Sequence, residues 1–402
     1  MKELSGVRVD GPLEPFADGF AAVLDEAGYL PGATALQLRL LAHLSRWLEG
    51  ERLTPDGLSD AELNRFRLEH VASYASLRGA EGMVPLLKYL RQLGVVPAAE
   101  APVLTVAGEL LERYRRFLTV ERGLTRESAR GYVDIVRPFV ESRVRESGEL
   151  ELWDLQAGDV LGFLLEHAGQ RSRHSAKALV TGLRSLLGFL HVSGLVARPL
   201  ASGVPSVAGW RLAGLPRALS GEQVQALLNS CDLSSVAGRR DFAILTMLAR
   251  LGVRRGEVAA LKLDDIDWHA GELAITGKGN RVERLPLPAD VGEAIARYLR
   301  NGRPAFSGRE VFVRLKAPRA ALTPGGVTQV VVSASKRAGI GEVTAHRLRH
   351  TAATELLRQG APLTEIGELL RHRSVLTTAI YAKVDHDRLV ELAQPWPEGG
   401  VA

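Results

Sequence analysis

Apolar residues recur at the spacing of one helix face through most of this chain, and that periodicity constrains the fold more than any other feature. "ATALQLRLLAHLSRWLEG" (33–50) and "VLTVAGELLERYRRFLTVE" (103–121) both place apolar side chains three and four residues apart. This is the pattern of an amphipathic helix with one buried stripe. "LSGEQVQALL" opens another such block, with Ser220 as N-cap and Gln223 at the third helical position, a capping-box pair. One stretch breaks the period. In "GELAITGKGNRVERLPLP" (271–288) the segments "LAIT" and "VERLPL" alternate, and "GKGN" between them is a turn signal. That predicts a β-hairpin with Lys278 at its tip. "EVFVRL" (310–315) reads as a further short strand. Helix resumes in "AHRLRHTAATELLRQG" (345–360), ended by Gly360 and followed by Pro362. The expected fold is mainly α, with a small β-hairpin or sheet near its C-terminal end.

A chain of 402 residues has room for two or three domains. "PSVAGWRLAGLP" (205–216) is rich in Gly and Pro between two helical blocks and reads as an interdomain linker. A weak internal repeat precedes it. Residues 35–70 can be laid beside residues 128–167, and both segments end in Leu-Glu-His. Each continues to a helix that closes on a glycine turn, "LLKYLRQLGVVP" (86–97) and "LRSLLGFLHVSGLVARP" (183–199). The expected division is an N-terminal helical domain (1–100), a second helical domain (101–204) of which the first is a candidate duplicate, the linker, and a last domain (217–402).

Composition narrows the function classes. The single cysteine, Cys231, excludes an internal disulfide and a cysteine-based zinc site. It suits a reducing, cytoplasmic setting. No long apolar run suggests a membrane span, and no signal-peptide pattern is visible at the N-terminus. The net charge of +5 is uneven. Residues 1–100 carry 10 Lys/Arg against 14 Asp/Glu, residues 101–216 carry 15 against 12, and residues 217–402 carry 26 against 20. The basic excess therefore lies in the last three quarters, where it fits a polyanionic partner, most simply nucleic acid.

Four segments of the last block hold the chemistry. "ARLGVRRGEVAAL" (249–261) sets Arg254 and Arg255 between a glycine and a predicted helix start, where a guanidinium is well placed to hold an anion. Lys278 occupies the hairpin turn. "HRLRH" puts His346 and Arg349 three residues apart on one helix face, with His350 four residues from His346. Two histidines at that spacing can hold zinc. However, no H-E-x-x-H arrangement is present, and Arg347 and Arg349 bring positive charge to the same place, so the face suits an anion better. "LLRHRSVLTTAIYAKV" (369–384) places His372 nine residues before Tyr381. Taken singly, each of these reads as a surface cation or a core aromatic. Together they form an inventory for metal-free chemistry on a phosphodiester. Guanidiniums clamp its oxygens, a tyrosine hydroxyl attacks phosphorus, and His and Lys handle protons.

In this order, "GVRRGE", "GKGN", "HRLRH" and "LRH" followed nine residues later by Tyr resemble the catalytic domain of the tyrosine recombinases, the phage integrase family. The resemblance covers roughly residues 215–392. It implies that Arg254 and Arg349 grip the scissile phosphate and that Lys278 protonates the 5′-oxygen leaving group. It also implies that His346 and His372 bond the phosphate and assist proton transfer, and that Tyr381 becomes linked to the DNA 3′-phosphate. Glu257 matches the family's acidic position and is expected to support the arginine. Arg371 departs from the pattern, because it stands where a glycine usually precedes the second histidine. Two outcomes stay open for it, a DNA-backbone contact or a changed backbone at that turn; Arg255 and, in the second domain, Arg115 and Arg126 are further candidate DNA contacts. By the same resemblance, residues 101–204 are a core-binding DNA-binding domain that with the last domain encloses duplex DNA.

The implied activity is site-specific recombination through a Holliday junction, with no metal, ATP or other cofactor. The implied partners are double-stranded DNA, further copies of the chain in a synaptic tetramer, and accessory or sister recombinases, in a cytoplasmic, nucleoid-associated setting. Two alternatives stay open at this point, a type IB topoisomerase-like enzyme and an inactive DNA-binding regulator.

Overall fold

The computed structural model describes residues 6–70, 80–98, 104–169, 171–207, 218–277, 281–371 and 378. It is mainly helical with a three-stranded antiparallel sheet. The chain divides into two compact units, one made of Met1–Ala99 with Gly214–Ala402 and the other of Glu100–Ala213.

Among the described residues, four α-helices open the first unit: α1 (Ala17–Glu26), α2 (Pro31–Gly50), α3 (Asp60–His70) and α4 (Val84–Gln92). Their apolar stripes close on Phe20, Leu24, Leu41, Leu44, Leu48, Phe66, Leu86 and Leu90, all buried. The second unit repeats that count with α5 (Val106–Arg116), α6 (Arg126–Glu141), α7 (Ala157–Ala168) and α8 (Arg173–Val192). Its separate core includes Leu111, Tyr114, Val136, Phe139, Leu183 and Leu190. A π-helical turn, Phe117–Glu121, extends α5. Thr105, Thr125 and Ser172 cap α5, α6 and α8 by accepting backbone N–H bonds from residues three further on.

Local geometry recurs between these two groups of helices. The His70 ring Nδ1 lies 3.0 Å from the Phe66 carbonyl oxygen and its ring stacks on Phe66. In α7 the His167 ring does the same with Phe163, also at 3.0 Å. Each phenylalanine meets an aromatic of the preceding helical region edge-on, Trp47 for Phe66 and Phe139 for Phe163. The closing turns match as well. Gly94 and Gly194 take φ of +70° and +69°. Val95 and Leu195 donate N–H bonds back to Leu90 and Leu190, and Val96 and Val196 are buried just beyond.

Residues 218–371 build a further core around α10 (Val236–Leu251), which is buried on almost every side from Ala243 to Leu248. It packs against α12 (Ala289–Asn301), α13 (Pro324–Arg337) and α14 (Ala345–Arg358), with α9 (Gly221–Asn229) alongside. The capping box expected at Ser220 and Gln223 is present at the start of α9. The expected hairpin is present as β2 (Glu272–Thr276) and β3 (Val282–Pro286), with Leu273 opposite Leu285 and both buried. Its tip, including Lys278, lies outside the described residues.

The strand expected at 310–315 does not form. The third strand is β1 (Ile266–Asp267), paired with β2. Val311, Phe312 and Val313 are all fully buried rather than alternating, and the segment makes only isolated bridges, Lys262 with Glu310 and Val313 with Ala321. A run of adjacent apolar residues suits a buried strand and a buried irregular segment equally well. Among the described residues, no helix is long and apolar enough to cross a membrane.

Candidate active site

The site assembles where α10 ends. Gly252 caps that helix in the left-handed region, φ +57°, which any side chain would make costly. A Cβ there would also fall 2.8 Å from Leu370 Cδ2. The chain can therefore turn sharply beneath α14 and the end of α15 (Leu363–Leu369) and deliver Arg254 to the N-terminus of the short helix α11 (Arg255–Ala260).

Glu257, at the third position of α11, holds Arg254 in two ways. Its Oε2 accepts the Arg254 backbone N–H at 2.8 Å, and its Oε1 accepts from Arg254 Nη1 at 2.7 Å. Arg254 Nη2 donates to the carbonyl of Arg371 at 3.2 Å. The Arg254 side chain keeps 42% of its surface open, whereas Glu257 keeps 5%. The expected support of Arg254 by Glu257 is thus a pair of direct bonds.

Arg349 comes from the opposite wall, on α14, and is 4% exposed. Its Nη1 donates to the Gly252 carbonyl at 2.5 Å and its Nη2 to the Leu370 carbonyl. Buried backbone carbonyls need such partners, and a charged donor makes strong ones. The two arginines therefore bind adjacent carbonyls, those of Leu370 and Arg371, immediately before His372.

His346, one helical turn before Arg349, faces His350, with the two Nε2 atoms 3.0 Å apart. His346 keeps solvent contact, yet partial burial of its ring and the charges of Arg349 and Arg254 hold it below the ordinary histidine pKa. Burial, with His346 and Arg349 beside it, pushes His350 down to about 4 from the ordinary 6.5. The unfolded chain takes up the His350 proton near pH 6.5, and the folded protein resists it to about pH 4. The unfolded state therefore binds more protons within that window, and stability falls as pH is lowered through it. We expect the thermal midpoint of wild type to drop between pH 7 and pH 4.5 by more than that of His350→Gln. Parallel drops in the two proteins would show that His350 is not the source.

The remaining candidates are placed unequally. Arg255 is exposed and its Nη1 donates to Thr328 on α13 at 3.1 Å. Arg126 is exposed at the start of α6. Arg115 is exposed but bonded to Glu112, which it holds below the usual carboxylate range. Arg371 differs from its expectation as a DNA-backbone contact. Its side chain is only 4% exposed and turns inward to Glu257 Oε2 at 2.5 Å. Lys278, His372 and Tyr381 lie outside the described residues. Thr378, three residues before Tyr381, is buried in helical backbone, and its Oγ1 would lie 2.9 Å from a Cβ on residue 367, so glycine at 367 allows the close approach. The carbonyls of Gly252 and Leu370 that anchor Arg349 carried no sequence signal, because any residue supplies a carbonyl.

The Phage integrase family profile matches residues 217–388. A protein of Sinorhizobium fredii named as an integrase/recombinase, y4rA, is 40% identical over 394 residues, covering 96% of this chain and 95% of that one. The tyrosine recombinase XerD of Listeria monocytogenes serotype 4b is 32% identical over 289 residues, covering 71% of this chain and 97% of its own. Among solved structures, XerH in a post-cleavage complex aligns with a TM-score of 0.55 at 22% identity, covering 72% of this chain and 85% of that one. A lambda integrase dimer on a core site aligns at 0.52 and 17%, covering 66% and 95%. At those identities the two structures speak for the fold, while the sequence relatives carry the family. On these sequence relatives, the chain belongs to the phage integrase family and is a site-specific DNA recombinase of the tyrosine type.

Proposed function

We propose that this recombinase cuts and rejoins double-stranded DNA through a covalent 3′-phosphotyrosine at Tyr381. The observation that carries the reading is the convergence of Arg254 and Arg349 on the adjacent carbonyls of Arg371 and Leu370, just before His372 in sequence, with His346 one helical turn before Arg349 on α14. The tyrosine oxygen bonds to phosphorus as the bond from phosphorus to the 5′-oxygen breaks. His346 and His372 bond the phosphate and take part in moving the tyrosine proton, and Lys278 gives a proton to the departing 5′-oxygen. Arg254 and Arg349 meet the charge that builds on the non-bridging oxygens. An incoming phosphate offsets the neighbouring guanidiniums and favours the protonated form of His346.

The phosphotyrosine keeps the energy of the broken phosphodiester, so the strand can be rejoined without ATP. Four protomers exchanging strands between two duplexes through a Holliday junction, as part of a mobile element in the cytoplasm, complete the proposal. Residues 101–204 act as the core-binding domain, with Arg126 and Arg115 among its phosphate contacts and Arg255 serving the catalytic domain. The matched Phe–His pairs and glycine turns support residues 1–100 as a duplicate of that helical unit. Its acidic balance favours protein–protein contact over DNA.

The test is covalent trapping. Wild type is incubated without metal on nicked duplexes from the DNA flanking its gene, and SDS-resistant adducts are scored. Adducts confined to particular sites are expected. Relaxation of any supercoiled plasmid by monomers would point to topoisomerase-like action instead. DNA affinity is also expected to fall steeply with salt, because each phosphate contact releases counterions. A flat salt response would count against a basic DNA-binding surface.

A further inference from the structure

Arg371 stands where the backbone asks for glycine. Its φ is +54°, in the left-handed region that a residue with a side chain adopts at a cost. The guanidinium is buried, and its Nε has no hydrogen-bond partner among the described residues. A strained backbone and a desolvated cation at one residue need an offsetting interaction. That interaction is Glu257. Arg371 Nη2 donates to Glu257 Oε2 at 2.5 Å, the same oxygen that accepts the Arg254 backbone N–H at 2.8 Å. Glu257 Oε1 binds Arg254 Nη1 at 2.7 Å, and the Arg371 carbonyl accepts from Arg254 Nη2 at 3.2 Å.

One carboxylate thus lies between two guanidiniums. If it faced Arg254 alone, its negative charge would cancel the positive charge that Arg254 offers to an anion. We infer that Arg371 is a positioning residue whose buried charge offsets Glu257, so that Glu257 orients Arg254 without neutralising it. This rests on the phosphate-binding role proposed for Arg254. Arg371 touches neither substrate nor reacting atoms. Its carbonyl fixes one edge of Arg254, and its guanidinium restores the field of the pocket.

The inference is tested with Arg371→Met, which keeps length and removes charge, and with the double variant E257Q/R371M. The double variant removes both buried charges and leaves Arg254 an acceptor. Two readouts are used on the full chain. The first is sulfate affinity by calorimetry, a probe of tetrahedral anion binding that involves no tyrosine chemistry. The second is the rate of covalent adduct formation on nicked duplexes carrying either an ordinary phosphate or a neutral methylphosphonate at the scissile position.

Arg371→Met is expected to weaken sulfate binding and slow adduct formation on the ordinary phosphate, each by about tenfold, the size of one unit charge about 12 Å away, behind Glu257 and Arg254, at an effective dielectric near 20. The methylphosphonate rate should change much less. E257Q/R371M should return to within a few-fold of wild type in both readouts, which a purely structural role for Arg371 would not produce. If Arg371→Met does not fold, the double variant compared with wild type carries the test alone. Sulfate affinity unchanged in Arg371→Met, or a double variant as weak as the single, would overturn the inference. Failure of wild type to form adducts would sink the strand-cleavage reading instead, and the sulfate comparison would still decide the role of Arg371.

Discussion

Tyr381→Phe is expected to abolish the covalent protein–DNA adduct and to leave DNA affinity within a few-fold of wild type. The substitution removes one oxygen and keeps the ring. Phenylalanine offers no nucleophilic atom, and loss of a nucleophile that acts as part of a unit costs about 10⁴-fold or more in rate. In the proposed reading, binding rests on many phosphate contacts spread over the basic parts of the chain, none of which needs this hydroxyl. Trapping on a nicked duplex reads the adduct, and a gel-shift titration with the same duplex reads affinity. An adduct retained by Tyr381→Phe would place the nucleophile on another residue. Loss of both adduct and affinity would make Tyr381 a structural residue.

Arg254→Ala and Arg349→Ala should each slow adduct formation by about 100-fold or more, the usual loss when a charged donor to the transition state is removed. The structure separates the two variants in a second measurement. Arg254 is 42% exposed, and after its removal Glu257 still has Arg371. Arg254→Ala should therefore melt close to wild type. Arg349 is buried and bonded to the carbonyls of Gly252 and Leu370. Its removal leaves two buried acceptors without that donor, at about 1–3 kcal/mol for each group left unsatisfied. Arg349→Ala should melt well below both. Cleavage within a few-fold of wild type in a folded Arg254→Ala protein would refute the clamp. Equal melting of the two alanine variants would contradict the anchoring role of Arg349.

Much of the site was legible because its signals are local. The glycine before Arg254, the Arg254-to-Glu257 spacing and the His346-to-Arg349 spacing each lie within a turn or two of helix, where sequence distance translates into geometry. The hairpin was legible for the same reason, since Leu273 and Leu285 alternate about a turn signal. The segment 310–315 was misread because three adjacent buried residues carry no period, and their backbone partners, Leu261 and Leu322, lie far from them in sequence or beyond a turn. Arg371 was the instructive case. By the family resemblance a glycine position had been taken by arginine, which left open a cation facing DNA or a changed backbone at the turn. The fold turned it inward, because the carboxylate of Glu257 lies 114 residues away in sequence and only 2.5 Å away in space.

The sequence by itself determined the helical class, the hairpin, the capping of α9, the order of the catalytic motifs and, through them, the family. These depend on periodicity and short spacings that the backbone honours wherever the chain folds. Only the tertiary structure decided how the motifs cooperate. Leu370 and Arg371 offer their carbonyls to the two arginines, Gly252 lets α10 end against Leu370, and one buried carboxylate joins Arg254 to Arg371. Those contacts join α11, α14 and the end of α15 across more than 90 residues of sequence. Packing around the buried helix α10 brings them together, and no local pattern records which backbone carbonyl or which distant cation will meet there.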